Sequence, residues 1–232
     1  MQKLFQEDPL PNFLIFAEHN HIYTYDTTKL NQGKLFRDEN DKMGHLLPAG
    51  IASVARGGSI AYHGPGQLVC YLIIDLNDIG ISGPVQLGNI IDEIIKEILK
   101  KFGIQGYALD ELVAKKDGGV QKQLLDQRVI TVDDKGQEKK TAAAQGIWVI
   151  TEETEIKKIA SRAIRIYSNK NDLELEQKRQ VTKFGFSIDI STELLYYEFI
   201  FPCGLDIKMT SVKALTGIDP IMHEVSKMAA EI

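Results

Sequence analysis

Two cysteines and one tryptophan are all that the 232 residues contain, and no apolar run reaches membrane-spanning length. Cys70 and Cys203 cannot build a disulfide-stapled scaffold, and so few thiols suit a reducing compartment. A transmembrane helix needs about 18 or more consecutive apolar residues, which occur nowhere. The opening Met1-Gln2-Lys3-Leu4-Phe5-Gln6-Glu7-Asp8-Pro9 lacks the apolar core of a signal peptide and carries acids that transit peptides avoid, so a cytoplasmic protein off the membrane is expected. Basic charge is also in deficit: the net charge of −5 argues against general nucleic-acid binding. No G-x-x-x-x-G-K-[ST] loop is present, and Val69 stands where a dinucleotide fingerprint would need glycine or alanine after Gly64 and Gly66. His19 and His21 have no convergent Cys, Asp or further His at recognisable spacing, so no metal site is expected.

What remains is an ordinary globular composition, 44% hydrophobic and 25% charged, long enough to bury one core, and a single domain over residues 1–232 is expected. Residues 14–16 and 22–25 read as a hairpin turning at Glu18-His19-Asn20-His21. Residues 27–50 read as a polar surface loop with His45 in solvent. In 84–102, Leu87, Ile90, Ile91, Ile94, Ile95, Ile98, Leu99 and Phe102 recur at spacings of three and four, which predicts an amphipathic helix stopped by Gly103. Its polar face, Asp92 included, is expected in solvent. Turns around 115–119 and 133–140 flank a short strand at 128–132. Strands follow at 146–150, 156–167 and 182–190, and Asp219-Pro220 predicts the N-cap and first position of a last helix.

The chain concentrates its punctuation in Arg56-Gly57-Gly58-Ser59-Ile60-Ala61-Tyr62-His63-Gly64-Pro65-Gly66-Gln67, ahead of the apolar residues 68–76. Glycines there permit positive φ and close approach of a ligand to the backbone. The same composition equally fits a plain turn between strands. A phosphate nest is disfavoured, because Pro65 lacks the N–H that an anion would need. Of the two cysteines, Cys203 sits in a turn between Pro202 and Gly204, whereas Cys70 lies in the apolar segment, where burial makes a thiol inert. By residue type alone, either reads most simply as a small core hydrophobe.

The pattern Arg-Gly-Gly-x-x-x-Tyr-His-Gly-Pro-Gly-Gln-Leu, with Val69-x-Tyr71 after it, resembles the signature of the lipoyl(octanoyl) transferases. Glu18-His19, Gly146-Ile147-Trp148-Val149, Lys158-Ile159-Ala160 and Pro202-Cys203-Gly204 extend the resemblance over roughly residues 14–215. It implies an α/β fold, a mixed β-sheet with packed helices like the biotin/lipoate-protein ligase catalytic domain. It implies Cys203 as nucleophile and Lys158 as the cation beside it, assisting proton transfer. The implied reaction moves an octanoyl group from octanoyl-acyl carrier protein, through a thioester on Cys203, to a lysine of the lipoyl domains of 2-oxoacid dehydrogenase complexes and of the glycine cleavage H protein. Neither cofactor nor ATP is implied.

Substrate contacts are implied at Arg56, Gly57, Gly58, Ser59, Ile60, Ala61, Tyr62 and His63, at Ser161, Arg162 and Ala163, and at Gly185, Phe186 and Ser187. Both protein partners so implied are acidic, and Lys157, Arg162 and Arg165 are candidates for a local basic face. Against the family pattern, residues 113–145 and 168–180 look like surface elaborations. Ala61 replaces a threonine, Leu72 a proline, Arg162-Ala163 an Ile-Gly pair, and Phe184 a histidine, which removes a donor near the acyl site. A lipoate-protein ligase would want an Arg-Arg-x-Ser-Gly-Gly-Gly loop where Ala55-Arg56-Gly57-Gly58-Ser59 stands. A non-catalytic binder of acyl carriers or lipoyl domains is the other alternative.

Overall fold

The computed structural model describes residues 11–26, 35–38, 40–41, 44–55, 59–141, 144–168 and 179–232. In chain order its elements are β1 (Phe13–Ala17), β2 (Ile22–Tyr25), β3 (Gly50–Ser53), β4 (Ile60–His63), β5 (Gln67–Ile73), α1 (Pro84–Lys100), β6 (Tyr107–Ala108), α2 (Leu109–Ala114), α3 (Gly118–Asp126), β7 (Ile130–Val132), β8 (Glu138–Lys140), β9 (Gly146–Ile150), β10 (Ile156–Ser168), β11 (Gln180–Asp189), α4 (Val212–Thr216) and α5 (Met222–Ala230). Among the described residues, six strands form an antiparallel sheet in the order β1-β5-β11-β10-β9-β6, and β3-β2-β4 form a smaller mixed sheet. The α/β expectation holds.

Helix α1 buries Leu87, Ile91, Ile95, Ile98 and Leu99 of the predicted stripe against Ile147, Val149, Phe186 and Ile188 of the large sheet, whereas Ile90 is exposed. Each such side chain contributes about 1.5–3 kcal/mol on leaving water. Val225 and Ala229 of α5 join the same core. Because side chains alternate along a strand, Val69 and Tyr71, and Gly185 and Ser187, face away from that core. The smaller sheet is tied to the rest through Tyr23, Ile60 and Tyr62, which pack with Tyr197 and Ile200. The opposite face of the large sheet is thereby left for the cavity described below.

Four expectations need correction. Strands β1 and β2 do not form a hairpin: β1 pairs with β5, while β2 pairs with β3 and β4. Their alternation specified strands, but pairing partners come from distant sequence. The Gly-Pro-Gly segment is a turn between strands, as one reading expects, and it carries the chain from β4 of the smaller sheet to β5 of the larger. Gly66 there adopts φ +81, and a Cβ would lie 2.5 Å from the Ser191 carbonyl carbon.

The stretch around Gly118-Gly119 is not a turn but the start of α3, where Asp117 caps the N–H groups of Gly119 and Val120. Glycine costs little at a helix start that a side chain already caps. Nor are residues 113–145 wholly superficial, because Val120, Leu124, Val129 and Ile130 pack around Trp148. Finally, Asp219 does not cap the last helix, which starts at Met222; its carboxylate pairs with Lys213 Nζ at 2.6 Å. Of 168–180, residues 169–178 lie outside the described residues, as do 27–34 of the expected surface loop, whereas His45 is exposed as expected.

Among the described residues, no helix is long and apolar enough to cross a membrane, and no three His, Cys, Asp or Glu side chains are grouped to hold a metal.

Candidate active site

Cys203 stands in a left-handed turn, with φ +58, followed by Gly204 at φ +76. A non-glycine residue in that region costs roughly 1–2 kcal/mol, so the surroundings must hold it. They do: Cys203 N donates to Ile60 O at 2.9 Å, Gly204 N to Phe201 O at 2.7 Å, and Leu205 N to Pro202 O at 3.1 Å. The nucleophile candidate is thus stapled to β4, the strand that carries the Ile-Ala-Tyr-His motif.

Lys158 comes from the start of β10, its third residue. Its backbone is fixed on both sides, with N donating to Lys208 O at 2.8 Å and O accepting from Thr210 N at 2.9 Å, next to a register shift between Lys158 and Ala160. The side chain is 0% exposed. Nζ lies 3.7 Å from Cys203 Sγ and 5.6 Å from the centre of the Trp148 ring. A solvent-free ammonium is costly unless an anion or a donor-hungry partner sits beside it, and the sulfur is placed for that role. Cys70, by contrast, is buried, and burial pushes its thiol up to about 12.

A cavity of about 740 Å³ opens beside the sulfur. Ile60, Ala61, Tyr62, His63, Ser161, Arg162, Ala163, Gly185, Phe186, Ser187 and Cys203 all line it. Lys158 lies behind that wall. Ser59 sits at the Cys203-Gly204 turn, its side chain 3.3 Å from where a Gly204 Cβ would stand. Arg56, Gly57 and Gly58 lie outside the described residues. Gly185 has a packing reason to be glycine, because a Cβ would come within 2.2 Å of Cys70 O. Phe184, also on the wall, holds φ +72, and Lys183 Nζ lies 5.2 Å above its ring. The hydroxyl of Tyr62 is engaged with His21 Nδ1 at 2.7 Å, its ring stacks on Tyr196, and burial raises its phenol.

Of the three candidates for a basic face, Arg162 and Lys157 are ion-paired and Arg165 stays exposed. Arg162 Nε donates to Asp92 Oδ1 at 2.9 Å and Nη2 to Gln145 Oε1 at 2.6 Å, so the Asp92 expected in solvent is a buried counter-ion. Burial raises the Asp92 carboxyl, while Arg162 opposes the rise. Lys157 pairs with Glu155 at 3.0 Å, and Arg165 Nη1 donates to Ala55 O at 3.0 Å. Tertiary pairing has neutralised or redirected the charges that the strand pattern left open.

Sequence reasoning missed Asp189 and Tyr197. Asp189 ends β11 between Ile188 and Ile190, and a lone acid in an apolar alternation was the available signal. Its Oδ1 accepts from Gln67 Nε2 and from the Tyr197 hydroxyl, each at 2.9 Å. Burial pushes its carboxyl up to about 6 from 3.8, against hydrogen bonds from Gln67, Thr192 and Tyr197 and the charge of Lys158. Since the folded value exceeds the unfolded one, this group favours folding most below about pH 4, and that stability is lost as pH rises through 6, a cost on the order of 3 kcal/mol at neutral pH. An Asp189→Asn chain is therefore expected to gain stability relative to the wild type between acidic and neutral pH. Urea denaturation of both chains across that range measures the difference.

Together these features define an α/β domain with a largely apolar ligand cavity and a thiol held against a buried ammonium. The chain belongs to the lipoyl protein ligase A/B catalytic domain family, whose sequence model matches residues 1–231. It is 26% identical over 217 residues to an octanoyltransferase of Bacteroides fragilis, covering 93% of this chain and 77% of that protein. An octanoyltransferase of Solibacter usitatus is 30% identical over 218 residues, covering 92% and 73%. Among solved structures, lipoate-protein ligase A bound with ATP superposes with TM-score 0.52 at 14% identity, over 95% of this chain and 70% of that one. The bi-partite lipoate protein ligase of Thermoplasma acidophilum gives 0.51 at 12% identity, over 95% and 69%. At such identities the structural likeness speaks for the fold alone.

Proposed function

We propose that this chain is an octanoyltransferase that moves an octanoyl group from octanoyl-acyl carrier protein to a lysine of lipoyl domains, through a thioester on Cys203. The observation that carries the mechanism is the 3.7 Å approach of the Lys158 ammonium to the Cys203 sulfur at the wall of the cavity. Membership of the family and the octanoyltransferase names of the relatives support the substrate class.

In the first step the Cys203 thiolate, stabilised by Lys158, attacks the carrier thioester, the carrier's carbon–sulfur bond breaks, and the leaving sulfur takes a proton from the Lys158 ammonium and departs as the carrier's thiol. One thioester replaces another, so the exchange is close to thermoneutral and needs no nucleotide. In the second step the lysine amine of a lipoyl domain attacks the acyl-enzyme and gives its proton to the Lys158 amine, an amide forms, the carbon–sulfur bond breaks, and the Cys203 thiolate leaves beside the ammonium so regenerated. The cavity volume falls within the roughly 300–1,000 Å³ usual for small-ligand sites. Lipoyl domains of 2-oxoacid dehydrogenase complexes and the glycine cleavage H protein are the proposed acceptors.

The test is to incubate the protein with octanoyl-acyl carrier protein and an apo lipoyl domain in the absence of nucleotide and to weigh the products. One octanoyl group added to the domain is the expected result. Modification only with free octanoate and ATP would indicate a ligase, and none under either condition a binder.

A further inference from the structure

Alternation along β11 puts Phe186 and Ile188 in the core and would put Phe184 there with them. Its ring lies outside that cluster, on the cavity wall, and its backbone stands at φ +72. A bulky side chain in the left-handed region is an outlier that persists only where the surroundings hold it. On one side Thr182 does so: its N donates to Ile74 O at 2.9 Å, its hydroxyl donates to Leu72 O at 2.7 Å and accepts from Ile74 N at 3.1 Å. On the other side Gly185 pairs with Tyr71, so close to β5 that a Cβ would come within 2.2 Å of Cys70 O. The strand is fastened to β5 before and after the kink.

Cross-strand pairs along β10 and β11 give the order of groups on the wall. Counting from Lys158, which meets the sulfur, Ser161 faces Ser187, Ala163 faces Gly185, and Ile164 faces Phe184. Small side chains at the first two pairs leave a trough, and the aromatic ring stands beyond them. At about 3.3 Å per residue the backbones of Lys158 and Ile164 are roughly 15–20 Å apart, so the ring meets the tail of an acyl chain and not its thioester. Lys183, an exposed residue, places Nζ 5.2 Å from the ring centre, on the solvent side of the ring.

We propose that the Phe184 ring is the end-stop of this trough and sets the longest acyl chain that Cys203 accepts. The assignment rests on the octanoyl-transfer reading above. Each methylene that lies along the trough leaves water, up to the ring. A longer chain must displace the ring, which the fastened backbone resists, or fold back on itself. Phe184 is thus a specificity-determining residue, and the chemistry stays with Cys203 and Lys158.

Single-turnover loading of Cys203 from octanoyl-, decanoyl- and dodecanoyl-acyl carrier protein, followed by mass, tests the assignment. Wild-type protein should load dodecanoyl far more slowly than octanoyl, since one methylene that does not fit its pocket costs about 10-fold or more. Phe184→Gly opens the end of the trough and suits a left-handed backbone, so its fold should survive. Its dodecanoyl-to-octanoyl rate ratio should exceed that of the wild type by about 10- to 100-fold. Phe184→Trp should shift the preference toward hexanoyl. A wild type that loads dodecanoyl as fast as octanoyl overturns the assignment. So does a ratio that neither variant moves, as when both slow every chain length equally, the result of a merely structural role. If wild-type protein takes an acyl group from no carrier, the octanoyl-transfer reading fails first and this role with it, which sets that failure apart from the others.

Discussion

A Cys203→Ala chain is expected to form no acyl-enzyme and to lose at least about 10⁴-fold in transfer rate, as enzymes stripped of their nucleophile do. Incubation of wild-type protein with octanoyl-acyl carrier protein alone should add one octanoyl group, released by hydroxylamine and mapped to Cys203. The variant should add none. Its fold should survive, because the turn is held by backbone bonds to Ile60, Phe201 and Pro202 that the substitution leaves in place. Octanoylation persisting in the variant would mean that another group, or direct transfer between the two substrates, carries the acyl chain. The buried thiol of Cys70 is a poor substitute, since burial pushes it up to about 12.

Replacing Lys158 by methionine should separate reactivity from stability. Opposite charges about 4 Å apart attract by roughly 4 kcal/mol at an effective dielectric constant of 20, and desolvation offsets part of that. A net loss of about 1.4–2.8 kcal/mol corresponds to a 10- to 100-fold fall in the rate at which iodoacetamide alkylates Cys203 at neutral pH. Stability should hold or rise, because methionine fills the same fully buried space without an ammonium to desolvate, and the thiol left behind can take up a proton. Alkylation rates set beside thermal denaturation provide the check. A large drop in stability with unchanged thiol reactivity would make Lys158 a structural residue and dissolve the pair.

Much of the candidate site is legible in the sequence, but unevenly. The Pro202-Cys203-Gly204 turn could be read as an exposed, lightly encumbered thiol, and the segment from Ile60 to His63 as cavity wall, although it reads as part of a loop and folds as strand β4. Lys158 could not be found by pattern, since a lysine in a strand is ordinarily solvated; only its resemblance to the family motif singled it out. Arg162 was legible as a wall residue and misleading as a basic one. Its counter-ion, Asp92, sits 70 positions away on α1, and Gly88 leaves the room that its guanidinium fills, a Cβ there coming within 2.3 Å of Nη1. Asp189 was overlooked because one acid in an apolar strand has no partner in its own neighbourhood.

The sequence by itself determined where the strands near 146–150, 156–167 and 182–190 and the long helix run, and that the thiol at 203 lies in a turn. Those properties are local: spacing, φ tolerance and side-chain volume act within a few residues. Only the tertiary structure decided that β1 and β2 part into different sheets, that His63 meets Gln67, and that an amine and a sulfur 45 positions apart come within 3.7 Å. Alternation along a strand specifies a face and not a neighbour, so the contacts that make the chemistry are set by how the sheets pair and pack.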